Sequence, residues 1–541
     1  MECLVFNVMY EYLVGKGLLT GRNSGFKKLD STINQLINIV NNIYKGIDNR
    51  NDVCMIFLDI SKAFDRVYHE GLLFKLKQLG IEGNLLNWIK SYLSNRKQRV
   101  LVNGKASDWQ CTNAGVPQGS ILGPLLFLVY INDIVNSIES DIYIFADDTS
   151  LMRPIIDAVD DFNILNEDLN KLSNWAQQWR VTFNAKKTEY MIFSLKNKIP
   201  DYPELFLGNT KIAQVRTHSH LGITFDSKLT WKTHINNICT KASQRVSNIK
   251  RIRHLIPRKT SEVLYKSLAR PILEYGDVVF DNTTQEMKKL IEHVQRDALV
   301  MITCAYRRTP TLNLYKETGF DMLEDRRKQH RLVLFYKMTH NLAPEYLCGL
   351  VPPPAGENHT HRLRSSSNGT LSIPYARTAK YANSFIIKTT RNWNELDIKV
   401  RQVSTLNTFK MKIRNSHQPP ITAALTGRAS VHHTRMRLGL SPLREQLYKF
   451  DIIESPNCEN CYIESESCIH YFLKCPVFTI QRVKLLSTVC QIMPYNILRQ
   501  LHRESALVNV FLNGSDQLTM DENLELFETI LQYISQTERF K

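Results

Sequence analysis

Three aspartates stand where short apolar runs end. Val53 to Leu58 is an apolar run of strand length that closes on Asp59, and Asp147-Asp148 falls between two strand-like runs, Ile142 to Phe145 and Thr149 to Met152. In a twisted sheet a strand end and a neighbouring hairpin tip can meet. Three carboxylates brought together repel one another, and their pKa values rise unless a cation compensates. A hard divalent ion with oxygen ligands, such as Mg²⁺, removes that penalty. Two such ions, about 4 Å apart, can activate a hydroxyl nucleophile and stabilise a leaving pyrophosphate. Each signal also has an ordinary reading: Asp-Asp between strands is good turn chemistry, and Asp59 would serve as the N-cap of a helix starting at Ser61-Lys62-Ala63-Phe64.

A second group lies near the C-terminus. Cys458-x2-Cys461-x8-His470-x4-Cys475 has the spacing of a tetrahedral Zn²⁺ site, two thiolates on a tight knuckle followed by a His and a Cys on a later turn. Cys468 is a spare that competes with His470 for the fourth place. The alternatives are a purely structural zinc knuckle and isolated buried cysteines.

The bulk numbers bound the rest. The chain has 541 residues, 43% of them hydrophobic, enough for two to four domains with real cores. Lys and Arg total 69 against 52 for Asp and Glu, and the net charge of +17 points to a polyanionic partner, nucleic acid or an acidic membrane surface. The eleven cysteines are an odd number and mostly isolated, which suits a reducing compartment. The N-terminus lacks the basic start and cleavage site of a signal peptide. The longest apolar run, Ile121 to Ile131, is too short to span a bilayer, which takes about 20 residues. A soluble intracellular protein is expected.

The elements that must carry these groups are legible in outline. Ile33, Leu36, Ile37 and Val40 recur at helical spacing behind a cap at Asp30-Ser31, and a helix stopped by Gly80 carries Leu72, Leu73, Leu76 and Leu79. Arg99 to Asn103 reads as a strand turning at Asn103-Gly104. Val116-Pro117-Gln118-Gly119-Ser120 opens an apolar helix that ends near Asp133. An amphipathic helix follows over 162–180, then strands at Tyr190 to Phe193 and Leu221 to Phe225. The stretch 241–270 reads as helix and holds nine Lys or Arg against one acid, Glu262. Pro352-Pro353-Pro354 breaks the chain before a polar linker over 355–370.

Read together, five segments resemble the reverse transcriptases of LINE-type (non-LTR, jockey-like) retrotransposons. Phe57-Leu58-Asp59-Ile60-Ser61-Lys62-Ala63-Phe64-Asp65 is similar to their first motif. Ala114-Gly115-Val116-Pro117-Gln118-Gly119-Ser120 is similar to the second, and Phe145-Ala146-Asp147-Asp148 to the third. Asn184-Ala185-Lys186-Lys187-Thr188-Glu189 is similar to the fourth, and His220-Leu221-Gly222-Ile223 to the fifth, the primer-grip hairpin. The resemblance implies a right-hand polymerase of α+β class: an antiparallel palm with helices, partial fingers, a helical thumb and a small C-terminal zinc-knuckle module. It implies fingers and palm over 1–215, primer grip and thumb over 216–305, a connecting region over 306–430, the cysteine–histidine region over 431–490, and a helical tail over 491–541.

The same resemblance assigns roles. Asp59, Asp147 and Asp148 become ligands of two Mg²⁺ ions, and Phe64 the gate that rejects a nucleotide 2′-hydroxyl, although a core aromatic would look the same. Gln118 and Gly119 border the incoming nucleotide and template, or simply start a helix capped by Ser120. Lys187 is the acid that protonates pyrophosphate, or an ordinary solvated lysine beside Lys186. Lys241, Arg245, Lys250, Arg251, Arg253, Arg258 and Lys259 belong to the thumb and pair with hybrid phosphates without reading sequence. A solvated helix face is the alternative. Zn²⁺ at Cys458, Cys461, His470 and Cys475 fits the element family's post-polymerase motif, which is thought to contact nucleic acid. The implied activity is RNA-directed DNA synthesis on an RNA template from a DNA primer or target with deoxynucleoside triphosphates, acting in the nucleus. The competing expectation is a truncated remnant that binds nucleic acid without turnover. A group II intron maturase or telomerase-like polymerase is disfavoured by the Phe-Ala-Asp-Asp form and the cysteine motif.

Two departures are expected to matter. No counterpart of the upstream endonuclease-like domain is found, and none of the fingers stretch whose Arg grips the triphosphate. Gly25-Phe26-Lys27-Lys28-Leu29-Asp30-Ser31-Thr32 also replaces a turn that relatives make richer in Pro and Gly. A lost charge-assisted contact of that kind is worth roughly 1.5–3 kcal/mol of nucleotide binding.

Overall fold

The computed structural model describes residues 1–355, 369–414, 426–501 and 503–540, so most of the expected linker 355–370 lies outside the described residues. The chain forms two compact units, each assembled from separated stretches. The first comprises Met1–His234, Gly276–Thr283 and Gln329–Lys412, and the second Ile235–Tyr275, Thr284–Lys328 and Ile413–Lys541. Helices from Gln329 onward join the first unit because Asp281, almost fully buried, takes both Arg331 and Lys388 there. No described helix is long and apolar enough to cross a membrane.

The first unit is built on a five-stranded sheet. Its strands are β1 (Asp52–Leu58), β2 (Asp141–Phe145), β3 (Asp148–Ile155), β4 (Glu189–Phe193) and β5 (Ala213–Gln214), in the order β5-β4-β1-β3-β2. All pairs are antiparallel except β5 with β4. β1 is central, and all seven of its residues are buried, because helices cover both faces. Cys54, Ile56 and Leu58 join a core with the apolar helix Leu122–Ile131 and with Phe162, Leu165, Leu169 and Leu172 of the helix Ala158–Gln178. On the opposite face lies the helix Thr32–Asp48, capped by the Ser31 side chain. It approaches so closely that a Cβ on Gly46 would stand 2.6 Å from Val53.

Beside the sheet, Thr217–His220 and Ile223–Asp226 form an antiparallel hairpin, with Leu221 and Gly222 turning at positive φ. The second unit is helical. Lys232–Ile252 enters it, followed by Arg258–Leu268, Arg270–Glu274 and Gln285–Thr303. Its C-terminal part has its own core, in which Tyr471, Phe472, Phe511, Phe527 and Tyr533 pack around the cysteine segment.

Candidate active site and cysteine–histidine centre

The sheet register places the three aspartates. β1 pairs with β3 up to Leu58 opposite Thr149, so the next step along both strands sets Asp59 against Asp148. Asp147 sits in the two-residue turn between Phe145 and Asp148. Ala146, the first turn residue, takes φ +57°, a conformation that non-glycine residues rarely hold without support. Support comes from the preceding loop. Ser24 donates to the Ile144 carbonyl, and a Cβ on Gly25 would lie 2.4 Å from the Ala146 nitrogen. The substituted turn thus keeps the one glycine that the hairpin requires beneath it.

Partial withdrawal from water, then the charges of Asp147 and Asp59, pushes the Asp148 carboxyl above its ordinary range, and His218 opposes the shift. A divalent cation placed among such carboxylates would relieve that repulsion. Among the described residues, only the cysteine–histidine set draws three or more such ligand atoms within 4.8 Å of one another.

The neighbouring motif residues are held by backbone bonds. Asn184 donates to the Asp59 carbonyl and Ser61 to the Thr182 carbonyl, clipping 182–188 alongside the end of β1. Lys187 Nζ thereby lies 3.8 Å from Asp59 Oδ2, with the lysine 68% exposed. Phe64 stacks on Phe127 at 4.4 Å and meets Phe26 edge-on. Its ring is half-buried, so one part packs the core and the other faces out. Gly115 and Val116 donate to the Val67 and Phe64 carbonyls, and a Cβ on Gly115, at φ +90°, would come within 2.7 Å of the Asp65 carbonyl oxygen. Gln118 Nε2 donates to Asp65 Oδ1 at 2.8 Å, and Gly119 has open space around it.

A histidine–glutamate pair here escaped the reading from sequence. His218 stacks on Phe57 at 3.9 Å, and its Nδ1 lies 2.8 Å from Glu189 Oε2. Phe57 stands opposite Glu189 in the sheet and shares its strand face with Asp59. The signal was present in the alternation Thr217-His218-Ser219-His220, which sets both rings on one side of a strand. His220 is buried, and its pKa falls to about 3, chiefly through loss of water.

The basic run divides by burial. In Lys232–Ile252 the stripe Ala242, Val246 and Ile249 is buried, and Lys241, Arg245, Lys250 and Arg251 lie on the exposed face, as does Lys259 on the next helix. Two expected phosphate contacts are otherwise engaged. Arg258 is 7% exposed and its guanidinium pairs with Glu262 and, at 2.6 Å, with Glu317. Arg253 donates to the carbonyls of Ile256, Met301 and Ile302. The cause is position: both arginines point inward, toward the helix Gln285–Thr303 and the segment carrying Glu317. Lys250 instead lines a cavity of about 910 Å³ with His254, Arg307 and Arg428.

Cys458, Cys461, His470 and Cys475 bring their ligand atoms within 4.8 Å of one another. The Cys458 and Cys475 sulfurs are 4.0 Å apart, and Cys461 Sγ is 3.4 Å from His470 Nε2. A tetrahedral zinc with sulfur at about 2.3 Å has edges of roughly 3.5–3.8 Å, and the set lies within about 1 Å of that geometry. Glu464 holds His470 Nδ1 at 3.0 Å, leaving Nε2 for a metal. Burial, with the neighbouring Cys458 and Cys461, pushes the Cys475 thiol up to about 12. Cys468 falls outside the set. The cysteine–histidine segment is tied to the last helical stretch by Glu466, which accepts from Arg539 at 2.5 and 2.6 Å.

Residues 7–225, which carry all three aspartates, match the family model described as reverse transcriptase (RNA-dependent DNA polymerase). Among curated proteins, the chain is 33% identical over 353 residues to the RNA-directed DNA polymerase from mobile element jockey of Drosophila melanogaster, covering 63% of this chain and 38% of that one. It is 29% identical over 368 residues to the probable RNA-directed DNA polymerase from transposon X-element of the same organism, covering 64% and 40%. The chain spans about two fifths of the length of these relatives. Among solved structures, apo telomerase from Candida tropicalis overlaps 64% of this chain and 55% of that one at 12% identity, with a TM-score of 0.34, too loose to carry an argument.

Proposed function

We propose that the chain is the RNA-directed DNA polymerase of a non-LTR retrotransposon, adding deoxynucleotides to a primer 3′-hydroxyl opposite an RNA template. The observation that carries this reading is the register that sets Asp59 against Asp148 with Asp147 in the adjoining turn, inside the stretch that matches the family. The raised Asp148 carboxyl and the all-oxygen donor set fit Mg²⁺ at Asp59, Asp147 and Asp148. Two bound ions would lower the pKa of the attacking hydroxyl and neutralise charge on the leaving pyrophosphate.

The chain's own residues do the rest. Phe64 walls the sugar side of the nucleotide, braced by Phe127. Gln118, fixed by Asp65, borders the nucleotide and template, and Gly119 lets them approach the backbone. Lys187, tethered beside Asp59, can pass a proton to pyrophosphate. Exposed Lys241, Arg245, Lys250, Arg251 and Lys259 pair with phosphates of the RNA–DNA hybrid. Zn²⁺ at the C-terminal centre would cross-link the knuckle, and the family role adds contact with nucleic acid. Where a separate domain supplies the nick, the primer would be a nicked chromosomal end and the work nuclear.

Primer extension tests this reading, using an RNA template, an annealed DNA primer, deoxynucleotides and Mg²⁺, with the Asp147→Asn, Asp148→Asn double variant alongside. Extension by the native chain alone is expected. If neither extends while both bind the hybrid tightly, the chain is a binding-only remnant.

A further inference from the structure

The segment 96–112 forms a ribbon that the assigned motifs leave unexplained. Arg96–Gln98 pairs with Gln110–Thr112, and Leu101–Val102 pairs with Lys105–Ala106 around the Asn103-Gly104 turn. Nearly every residue in it is exposed, including Val100, Leu101 at 68% and Trp109 at 57%. A two-stranded ribbon with neither face packed is marginally stable in water. Such a ribbon gains order from whatever it binds.

Its chemistry states what that is. Arg96, Lys97, Arg99 and Lys105 face a single acid, Asp108, within the ribbon. The Arg99 guanidinium lies 4.6 Å over the Trp109 ring, and that of Arg96 lies 5.1 Å over Tyr92, itself stacked on Trp88. At the ribbon's base is a cavity of about 730 Å³ that reaches Pro117 and Gln118 and adds Lys62 and Arg66 to the cations of the ribbon, with Asp65 as the one acid of its lining. Flat aromatic and guanidinium surfaces beside a cationic groove suit unpaired bases on a phosphate backbone, and they bind without reading sequence. A double helix keeps its bases stacked on each other and cannot use such platforms.

We infer that the ribbon 96–112 and the cavity at its base dock the single-stranded RNA template as it approaches the catalytic cleft. The inference rests on the polymerase reading above for the identity of the strand, not for its binding. The phosphate chemistry is shared with the triphosphate of an incoming nucleotide, so the test separates the two.

Anisotropy would compare the full chain on a blunt RNA–DNA hybrid and on one with an RNA overhang of about 8 nucleotides, inside the ~4–16 nucleotide span of single-strand sites. The native chain is expected to bind the overhang more tightly. The triple variant Arg96→Ala, Lys97→Ala, Arg99→Ala should lose that preference and keep its blunt-end affinity, which shows that the fold is intact. Its slope of log K against log salt on the overhang should fall by about 2, from about 0.7 per single-strand phosphate contact. Trp109→Ala should weaken overhang binding by roughly tenfold through lost stacking alone. Equal overhang binding by native and triple variant overturns the inference. So does a raised nucleotide KM with unchanged overhang binding, which would give these cations to the triphosphate. A native chain that fails to extend primers yet shows the predicted overhang losses keeps the docking surface and removes only the polymerase reading.

Discussion

Arg258→Ala is expected to destabilise the fold rather than to loosen nucleic acid. Arg258 pairs with Glu262 at 3.3 Å and with Glu317 at 2.6 Å, and it donates further to the Glu317 carbonyl at 2.7 Å. All three side chains are nearly inaccessible. Removing one member of a buried ionic group leaves its partners charged and desolvated, at a cost of about 3–5 kcal/mol. Glu317 keeps Arg437, so the loss should fall at the lower end, about 3 kcal/mol, leaving Glu262 as the main orphan. Lys250→Ala, on the exposed face, should change stability by less than about 0.5 kcal/mol. It should lower the slope of log K against log salt for hybrid binding by about 0.9, one phosphate contact. Urea denaturation and a salt titration on both variants decide the matter. If Arg258→Ala leaves stability within about 0.5 kcal/mol and lowers the salt slope, the assignment of Arg258 to the interior is wrong.

Three further outcomes are expected. Phe64→Val should admit ribonucleotides, lowering the deoxy-to-ribo preference in single-nucleotide extension by at least about tenfold, a difference of about 1.4 kcal/mol; an unchanged preference would leave Phe64 a core residue stacked on Phe127. His433 is buried with its Nε2 on the Phe511 carbonyl, and burial followed by the charge of Arg437 lowers its pKa to about 4. The unfolded chain takes up that proton first, so stability should be lost as pH falls from about 6.5 toward 4, by about 1.4 kcal/mol per pH unit. His433→Gln should flatten that part of the melting-temperature profile, and an unaltered profile would count against a neutral buried His433. Cys458→Ser, or a chelator, should remove one equivalent of zinc and lower the melting temperature, while a chain purified without zinc that melts unchanged would contradict a folded-in metal.

Much of the site could be read from residue types. The six-residue apolar run Val53 to Leu58 announces a buried strand, and the aspartate just past its end must lie at the strand's tip. Asp-Asp between two such runs announces a hairpin tip. The helix over 32–48 was written in its spacing and its Ser31 cap. Local spacing also defined the cysteine–histidine set, because its ligands span only a short stretch of chain, although Cys468 and His470 stayed equivalent until folding drew His470 inward and left Cys468 out. The strand expected at Leu221 starts two residues later, because Leu221 and Gly222 are needed at positive φ for the turn.

The sequence by itself determined which groups could do chemistry and which strand or turn each one ends, since those depend on neighbours a few residues away. Tertiary structure alone decided which groups are free to act. Arg258 and Lys259 are adjacent and look alike in sequence, yet Glu317 claims the first and leaves the second to solvent. His218 reaches the aspartates only because Glu189 and Phe57 are paired across the sheet. The interleaving of the two units rests on partners such as Asp281 and Arg331, fifty residues apart. Long-range pairing of charge is fixed by burial, and no local pattern of residue types encodes how deeply a side chain will be buried.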